Sequence, residues 1–279
     1  MPTVRLLTFR AGKTTRAARL EGDFAIELPY PDVGAILASG PIDAVRHTSG
    51  PRHRLADLEL EQPVVSPSKI ICVGQNYRAH IEEQHGQVPR FPTLFNKWPL
   101  TLIGPRDDVV LPAVSEQPDW EVELAFYIGA ALRHADEQQA QRSIAGFTIV
   151  NDVSIRDWQR HTTQFLPGKN FESTTPVGPW MVTPDELAPL NLRLRCLVDG
   201  VVMQDSTTAD FVFSPAAVAA YVSTFTRLEP GDLIATGTPA GVGAFRKPPI
   251  FLRPGQVIRS EIDGIGFLLN RCVMEAQSR

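Results

Sequence analysis

Cysteine is scarce in this chain of 279 residues, and its placement narrows the possible classes of protein. The three cysteines, Cys72, Cys196 and Cys272, lie far apart and form no Cys-x-x-Cys pair. An odd number at this spacing argues against a disulfide framework and against a structural zinc site. Each lies in an apolar run, so we interpret all three as small buried residues and predict a reducing, cytoplasmic location.

Long apolar runs and charge of one sign are also missing. No uninterrupted apolar stretch approaches the roughly 20 residues that span a bilayer, so we predict no membrane segment. The segment at residues 1–22 has no extended apolar core, and we expect no secretory signal. The net charge is -4 and no block of Lys or Arg stands out, which argues against nucleic acid and anionic membranes as partners.

Hydrophobic residues make up 43% of the chain, enough for a sizeable core, and their pattern divides the chain near residue 65. We predict a small N-terminal domain over residues 1–65, with strands in TVRLLTFR and FAIELP and a weak helix in IDAVRHTS. The segment EQPVVSPSK, with two prolines and two serines, is typical of a connection. Residues 66–279 then form a larger domain.

The larger domain is rich in predicted strands, such as KIICVG, EVELAFYIG and GFTIVND. Asp-Gly pairs at residues 199–200 and 263–264 each lie between alternating segments, a pattern typical of hairpins. The clearest helix begins at Ser214, which is followed by Pro215 at the first helical position. We therefore predict a mainly β fold with peripheral helices (α+β), not a doubly wound α/β sheet.

Two glutamates of the strand EVELAFYIG are the first candidates for chemistry. Residues two apart on a strand point to the same face, so Glu121 and Glu123 stand side by side. Two carboxylates this close repel each other unless a cation or a proton intervenes, and Mg²⁺ or Mn²⁺ prefers such oxygen ligands. The alternative is a solvated strand face with two ordinary glutamates.

Asp152 is a third carboxylate, and it follows the apolar strand GFTIVN at the point where the pattern turns polar. It could complete a metal site with three oxygen ligands that leaves positions for water and substrate. It could equally cap a turn, which is a common use of an Asn-Asp pair. Sequence spacing does not show whether it approaches the two glutamates.

The segment NYRAHIEE offers a candidate acid–base pair. If it is helical, His80 and Glu83 lie on one face, three residues apart. A carboxylate beside an imidazole orients the ring and raises its basicity, which suits it to deprotonating water. A casual surface pair is the alternative.

Two loops could add charge to such a site. Lys169, in a Gly-flanked segment, could stabilise a developing oxyanion, or it could be a solvated lysine. The segment IATGTPAGVG has the glycine spacing of neither a Rossmann motif nor a P-loop. Its backbone N–H groups and threonine hydroxyls could hold an anion such as a carboxylate, or it could simply be a tight turn.

Taken in order, these segments resemble the fumarylacetoacetate hydrolase family. The resemblance spans about residues 68–275 and rests on seven ordered blocks: KIICVGQNYRAHIEE, PTLFNKWPLTLIGP, DWEVELAFYIG, GFTIVNDVSIRDWQ, GKNFESTTPVGPWMVTPDEL, PGDLIATGTPAGVG and GIGFLLNRCV. It implies a mixed β-roll catalytic domain, a homodimer, and a divalent Mg²⁺ or Mn²⁺ held by Glu121, Glu123 and Asp152.

The resemblance also implies roles for other residues. His80 and Glu83 form a water-activating dyad, and Lys169 is the catalytic lysine. The residues implied to contact substrate are Tyr77, Arg156, Gln159 and Thr238. One block departs from the family pattern, since many members have Lys-Ser-Phe-Asp where this chain has Lys169-Asn170-Phe171-Glu172, which bears on the substrate pocket rather than the metal site.

The implied substrate is a small 2-oxo acid whose enolate the metal stabilises. The leading prediction is a hydrolase that cleaves a C–C bond of acylpyruvates such as fumarylpyruvate or acetylpyruvate, in aromatic catabolism. Alternatives are an oxaloacetate decarboxylase and an isomerase or decarboxylase of the 2-hydroxyhepta-2,4-diene-1,7-dioate type. A member that binds metal or a small acid without turnover belongs to a different class and is disfavoured by the intact set of residues.

Overall fold

The structure is a computed structural model that describes residues 4–276. Strands dominate, and the predicted mainly β fold is confirmed. The strands are β1 (Arg5–Ala11), β2 (Thr14–Glu21), β3 (Phe24–Glu27), β4 (Arg52–Arg54), β5 (Leu60–Glu61), β6 (Ile70–Gly74), β7 (Thr93–Asn96), β8 (Leu102–Ile103), β9 (Val109–Leu111), β10 (Pro118–Asp119), β11 (Val122–Ile128), β12 (Ile144–Asn151), β13 (Ser154–Ile155), β14 (Thr175–Val182), β15 (Arg193–Val198), β16 (Val201–Thr207), β17 (Leu233–Ala235), β18 (Val257–Ile262) and β19 (Gly266–Met274).

The helices are short and peripheral. The α-helices are α1 (Val33–Ser39), α2 (Arg78–Glu83), α3 (Glu137–Ser143), α4 (Arg156–Gln159), α5 (Leu166–Lys169) and α6 (Pro215–Ser223). One-turn 3₁₀ helices cover Ile42–Val45, Leu55–Asp57, Pro99–Thr101, Pro184–Glu186, Thr208–Asp210 and Gly243–Phe245. Within residues 4–276, no helix combines the length and the apolar character needed to cross a bilayer.

A long mixed sheet carries the fold. Its strand order is β4-β3-β2-β1-β14-β12-β11-β17-β6-β7, with β5 paired to β1 and β8 paired to β14. A second sheet, β16-β15-β18-β19-β9, packs against β11, β12 and β14. Apolar side chains from both sheets form the main core, among them Leu124, Phe126, Leu194 and Leu268. The opposite face of β11 contributes Ala125 and Tyr127 to another core cluster, so this strand is buried on both faces.

Several local predictions match the structure. Asp199 and Gly200, both at positive φ, connect β15 to β16, and the second Asp-Gly pair lies between β18 and β19. Ser214 caps α6, since its Oγ accepts a hydrogen bond from the backbone N–H of Ala217. The predicted helix at residues 42–49 is only a single 3₁₀ turn, and strand β2 was not predicted because its sequence TTRAARLE alternates poorly.

The N-terminal segment joins the long sheet rather than standing apart from it. β1 pairs antiparallel with β14 of the larger predicted domain, with Leu6 opposite Met181. Helix α1 was not predicted, although Asp32 caps it by accepting from the N–H of Ala35. The division of the chain near residue 65 stays a prediction.

Candidate metal centre and active site

The pairing of β11 with β12 brings the three candidate carboxylates together. The strands run antiparallel with Val122 opposite Asn151, so Glu121 comes next to Asp152, whose N–H donates to the Glu121 carbonyl at 2.8 Å. Glu121, Glu123 and Asp152 each offer a carboxylate oxygen, and these oxygens lie within 4.8 Å of one another. Strand register therefore supplies the convergence that sequence spacing left open.

All three carboxylates are buried, which excludes a solvated strand face. Glu121 is 5% exposed, Glu123 1% and Asp152 0%. A buried charge is costly unless it is paired or coordinates a metal, so the surroundings of the three groups determine what they can do.

Three buried cations surround two of the carboxylates. Lys169 Nζ lies 2.6 Å from Oε2 of Glu121 and 2.6 Å from Oδ2 of Asp152. Lys97 Nζ donates to Oδ1 of Asp152 at 2.8 Å, and Arg156 Nη2 lies 2.7 Å from Oε1 of Glu121. Lys169 ends the one-turn helix α5 and is buried, so it is neither in an open loop nor solvated.

The pKa values of the two glutamates diverge. Burial alone would raise the pKa of Glu121, but the charges of Lys169 and Arg156 lower it to about 2. Burial raises the pKa of Glu123 well above its usual range, and the charges of Asp152 and Glu121 raise it further. Burial works against the charge of Lys169, yet Asp152 and Glu121 raise its pKa above the ordinary value.

Glu123 is thus the carboxylate whose charge is least compensated by the protein. Its Oε2 accepts one hydrogen bond, from the N–H of Gly237 at 2.8 Å. A hard divalent cation prefers oxygen ligands of this kind, and a buried set of three carboxylates at this spacing fits it. The residues present therefore fit a Mg²⁺- or Mn²⁺-type site.

Helix α2 presents the predicted acid–base pair. His80 Nδ1 lies 2.8 Å from Oε2 of Glu83, one helical turn away. Asn76 fixes the start of this segment, because its side-chain amide donates to the carbonyl of Thr236 at 2.8 Å and its Oδ1 accepts from the N–H of Phe213 at 2.7 Å. His80 is 4% exposed, so the pair is not a casual contact on the surface.

The glycine-rich loop after β17 does hold anions, but they are carboxylates of the protein itself. The N–H of Gly237 donates to Glu123, and the N–H of Gly241 donates to Oε1 of Glu83 at 3.0 Å. We name residues 237–241 the bracing loop. It contacts one candidate metal ligand and one member of the dyad.

A cavity of about 360 Å³ opens beside these groups. It is lined by parts of the predicted site and by neighbouring polar and aromatic residues: Gln75, His80, Gln84, Glu121, Arg156, Gln159, Arg160, Thr162, Thr163, Phe165, Lys169, Ala244 and Phe245. Imidazole, guanidinium, ammonium and carboxylate groups therefore face one small volume, which suits a small acidic substrate.

The predicted substrate contacts divide into two groups. Arg156 and Gln159 line the cavity, and Arg156 Nη1 donates to Oε1 of Gln159 at 2.9 Å. Thr238 is buried and donates its hydroxyl to the Val122 carbonyl at 3.0 Å, which ties the bracing loop to β11. Tyr77 is fully buried against Phe211, with ring centroids 4.8 Å apart, and does not line the cavity. Their roles toward substrate stay predictions.

Asp119 is a structural member of the site that sequence reasoning missed. This buried carboxylate accepts from the Nε of Arg156 at 2.8 Å and from the N–H groups of Gly243 and Ala244 at 2.7 and 2.9 Å. Sequence reasoning also missed Lys97, because a lysine between Asn96 and Trp98 gives no sign of burial. The DWEVE motif contained Asp119, but only the fold shows what it binds.

Replacement of Asp119 by Asn should remove one of the two carboxylates that pair with the buried guanidinium of Arg156, so that only Glu121 remains. Breaking a buried pair from one side costs about 3–5 kcal/mol, and because Glu121 still pairs with Arg156 we expect the free energy of unfolding to fall by about 3 kcal/mol, the lower end of that range. Urea unfolding followed by tryptophan fluorescence measures it. Asp205→Asn, in an exposed pair with Arg193, is the control and should change stability by less than about 1 kcal/mol. Equal losses in both variants would contradict the assignment.

Comparisons with known proteins identify the family of the chain. The family described as "Fumarylacetoacetate (FAA) hydrolase C-terminal" matches residues 69–273. The mitochondrial oxaloacetate tautomerase FAHD2A of Bos taurus is 46% identical over 214 residues, which is 76% of this chain and 68% of that protein.

Two solved structures extend the likeness to the whole fold. The fumarylacetoacetate hydrolase of Exiguobacterium antarcticum is 32% identical with a TM-score of 0.87, over 98% of this chain and all of that one. The 2-hydroxyhepta-2,4-diene-1,7-dioate isomerase of Mycobacterium marinum is 33% identical with a TM-score of 0.82, at the same coverage. With its matched segments, its β fold and its buried carboxylates, the chain belongs to the fumarylacetoacetate hydrolase family of enzymes.

Proposed function

We propose that this chain is a divalent-metal-dependent enzyme that interconverts the enol and keto forms of a short 2-oxo diacid such as oxaloacetate. The observation that carries the proposal is the position of His80, whose ring is held by Glu83 while it lines the same cavity as Glu121 and Lys169. The 46% identical relative named as an oxaloacetate tautomerase supports the same reaction.

The reaction needs one proton to move and no water. A base removes the proton of the enol hydroxyl, and the adjacent carbon takes up a proton to give the ketone, so the atoms balance. His80 Nε2 is the group that accepts and returns the proton, with Glu83 holding Nδ1. A divalent cation, held by Glu121, Glu123 and Asp152, would supply positive charge where the charge of the enolate develops.

Cationic side chains suit the two carboxylates of such a substrate. Arg156, Arg160 and Lys169 line the cavity. The three guanidinium nitrogens of Arg156 are directed at Asp119, Gln159 and Glu121. These contacts use three of its five N–H groups, so a substrate carboxylate could bind the other two without displacing Gln159.

Hydrolysis of an acylpyruvate is the second candidate, and the hydrogen-bonded His80–Glu83 pair is the observation that favours it. Water would add to the carbonyl distal to the 2-oxo acid while its proton passes to His80. The C–C bond would break, its electron pair would form the enolate of pyruvate, and the proton would return to that enolate. Pyruvate and a carboxylic acid would result. Decarboxylation of oxaloacetate and isomerisation of a 2-hydroxyhepta-2,4-diene-1,7-dioate each require an enolate at the 2-oxo position of their own substrate.

A substrate panel with Mg²⁺ and Mn²⁺ in parallel tests these reactions. We expect kcat/KM for enol-oxaloacetate to exceed that for acetylpyruvate, for decarboxylation and for the heptadienedioate by about tenfold or more, a difference of about 1.4 kcal/mol in transition-state stabilisation. Faster cleavage of acetylpyruvate would replace the first function by the second. Full activity in a chelator would contradict both, and no turnover despite bound Mn²⁺ would indicate a non-catalytic binder.

Two properties of the whole protein belong to the same proposal. We infer a homodimer, which sedimentation at micromolar concentration tests. The cysteines predict a cytoplasmic location, whereas the names of several relatives place them in mitochondria. Imaging of a tagged chain in its own cells distinguishes the two compartments.

A further inference from the structure

The residue after the dyad, Gln84, contacts the nitrogen that the proposed reaction uses. Its Nε2 lies 2.6 Å from Nε2 of His80, and both residues line the cavity. The contact follows from helix geometry, because residues four apart stack on one face and the backbone N–H of Gln84 donates to the His80 carbonyl at 3.1 Å. His80, Glu83 and Gln84 therefore form one local cluster.

The hydrogen-bonding capacities of a carboxylate and a neutral imidazole determine which group donates in this contact. An ionised Glu83 can only accept, so the His80 Nδ1 that faces it carries the hydrogen. A neutral imidazole then has its one lone pair on Nε2. The amide of Gln84 is the donor to that lone pair, and its Oε1 is left to face Nε2 of Gln75 at 3.4 Å.

Gln75 supports this arrangement from an uncommon backbone conformation. Its φ is 56°, in the left-handed region that residues other than glycine rarely adopt. The next residue, Asn76, is fixed by the side-chain hydrogen bonds described above, which hold the backbone at this position.

We propose that Gln84 is a positioning residue that covers the basic nitrogen of His80 and so favours proton transfer with a bound substrate over activation of water. This rests on the proposed function. A neutral imidazole offers one lone pair. Water therefore cannot donate a hydrogen bond to Nε2 while the amide of Gln84 donates to it. The amide thus competes with water for the same atom.

An enol hydroxyl competes with the amide better than water does. The substrate is held by its carboxylates, so its hydroxyl meets Nε2 at a high effective concentration. The enol is also the more acidic donor, which makes its hydrogen bond to the lone pair stronger. Gln84 therefore selects the reaction that requires no water.

The kinetic test replaces Gln84 by Met, which keeps the length of the side chain and removes the donor. The measured quantity is the ratio of kcat/KM for acetylpyruvate cleavage to kcat/KM for enol-oxaloacetate tautomerisation. We expect the ratio to rise about tenfold, which is what one hydrogen bond of ordinary strength is worth. Both values come from one preparation, so loss of folded protein cancels. Gln87→Met, at an exposed position three residues on, should leave the ratio unchanged. An unchanged ratio in Gln84→Met would overturn the proposal.

A chemical test works without turnover. Diethyl pyrocarbonate acylates an unprotonated imidazole nitrogen, and mass spectrometry of the peptide measures the rate at His80. We expect this rate to rise about tenfold in Gln84→Met, because the lone pair is then uncovered, and to stay unchanged in Gln87→Met. If the wild-type chain turns over neither substrate, the proposed function fails, and the acylation rates alone decide the role of Gln84. Equal rates in wild type and Gln84→Met would overturn that role.

Discussion

Replacement of Glu123 by Gln should abolish metal-dependent turnover and at the same time stabilise the metal-free protein. The side chain keeps its shape but loses the charge that a divalent cation would neutralise. A metal contributes several kcal/mol of charge stabilisation in the transition state, so we expect kcat to fall by about 10³-fold or more. Steady-state rates with Mn²⁺, together with titration calorimetry of Mn²⁺ binding, measure the loss.

The stabilisation follows from the raised pKa of Glu123. Burial and the charges of Asp152 and Glu121 disfavour its ionised form, so this carboxylate destabilises the metal-free fold once it is charged. We expect the midpoint of thermal unfolding in a chelator to rise by about 2–4 °C per kcal/mol of relief. Because folding raises the pKa of Glu123, the wild-type fold becomes less stable as the pH rises and this group ionises. The difference in unfolding midpoint between variant and wild type should therefore grow above the ordinary glutamate pKa of 4.5.

Glu116→Gln is the matched control for this experiment. Glu116 is exposed and lies five positions before Glu121, so its neutralisation should change neither Mn²⁺ affinity nor the unfolding midpoint. Full activity of Glu123→Gln, or a lower midpoint in the chelator, would contradict the assignment of Glu123 as a ligand with uncompensated charge.

Replacement of His80 by Asn should remove general base catalysis while the metal site stays intact. A positioned general base contributes about 10²–10⁴-fold to the rate, so we expect kcat for tautomerisation and for acylpyruvate cleavage to fall within that range. Decarboxylation of oxaloacetate requires no base of this kind and should be affected less. Mn²⁺ affinity, measured by calorimetry, should be unchanged because His80 is not one of the candidate metal ligands.

His85→Asn provides the control for a histidine in the same segment. His85 is exposed and has a φ of 54°, a conformation that asparagine tolerates better than most residues. Its activity should match that of the wild type. Equal loss of all three reactions in His80→Asn would contradict the division between base-dependent and base-independent chemistry.

The sequence predicted local features well where their cause is local. The side-by-side placement of Glu121 and Glu123 follows from the two-residue period of a strand, and the cap of α6 follows from Ser214 and Pro215. Convergence on Asp152 depends on the register of β11 against β12, which is a pairing between distant segments. No spacing within either segment contains that information.

Burial was the second property that local patterns could not supply. Lysine is usually a surface residue, yet Lys97 and Lys169 are both buried and each pairs with Asp152. The sequence of the loop after β17 allowed either an anion-binding loop or a simple tight turn. In the structure its N–H groups bind Glu123 and Glu83, which come from other parts of the chain. The anions that this loop binds are therefore carboxylates of the protein itself, which the sequence of the loop does not reveal.

The bracing loop has a consequence for how this site can diversify. Because residues 237–241 hold a candidate metal ligand at one end and the glutamate of the dyad at the other, these two parts form one mechanical unit. Substitutions there would disturb both at once, and selection would act on them jointly. The cavity is also lined by Thr162, Thr163 and Phe165, which do not belong to that unit. Substitutions at these positions can therefore change substrate preference while the candidate metal ligand and the dyad stay the same.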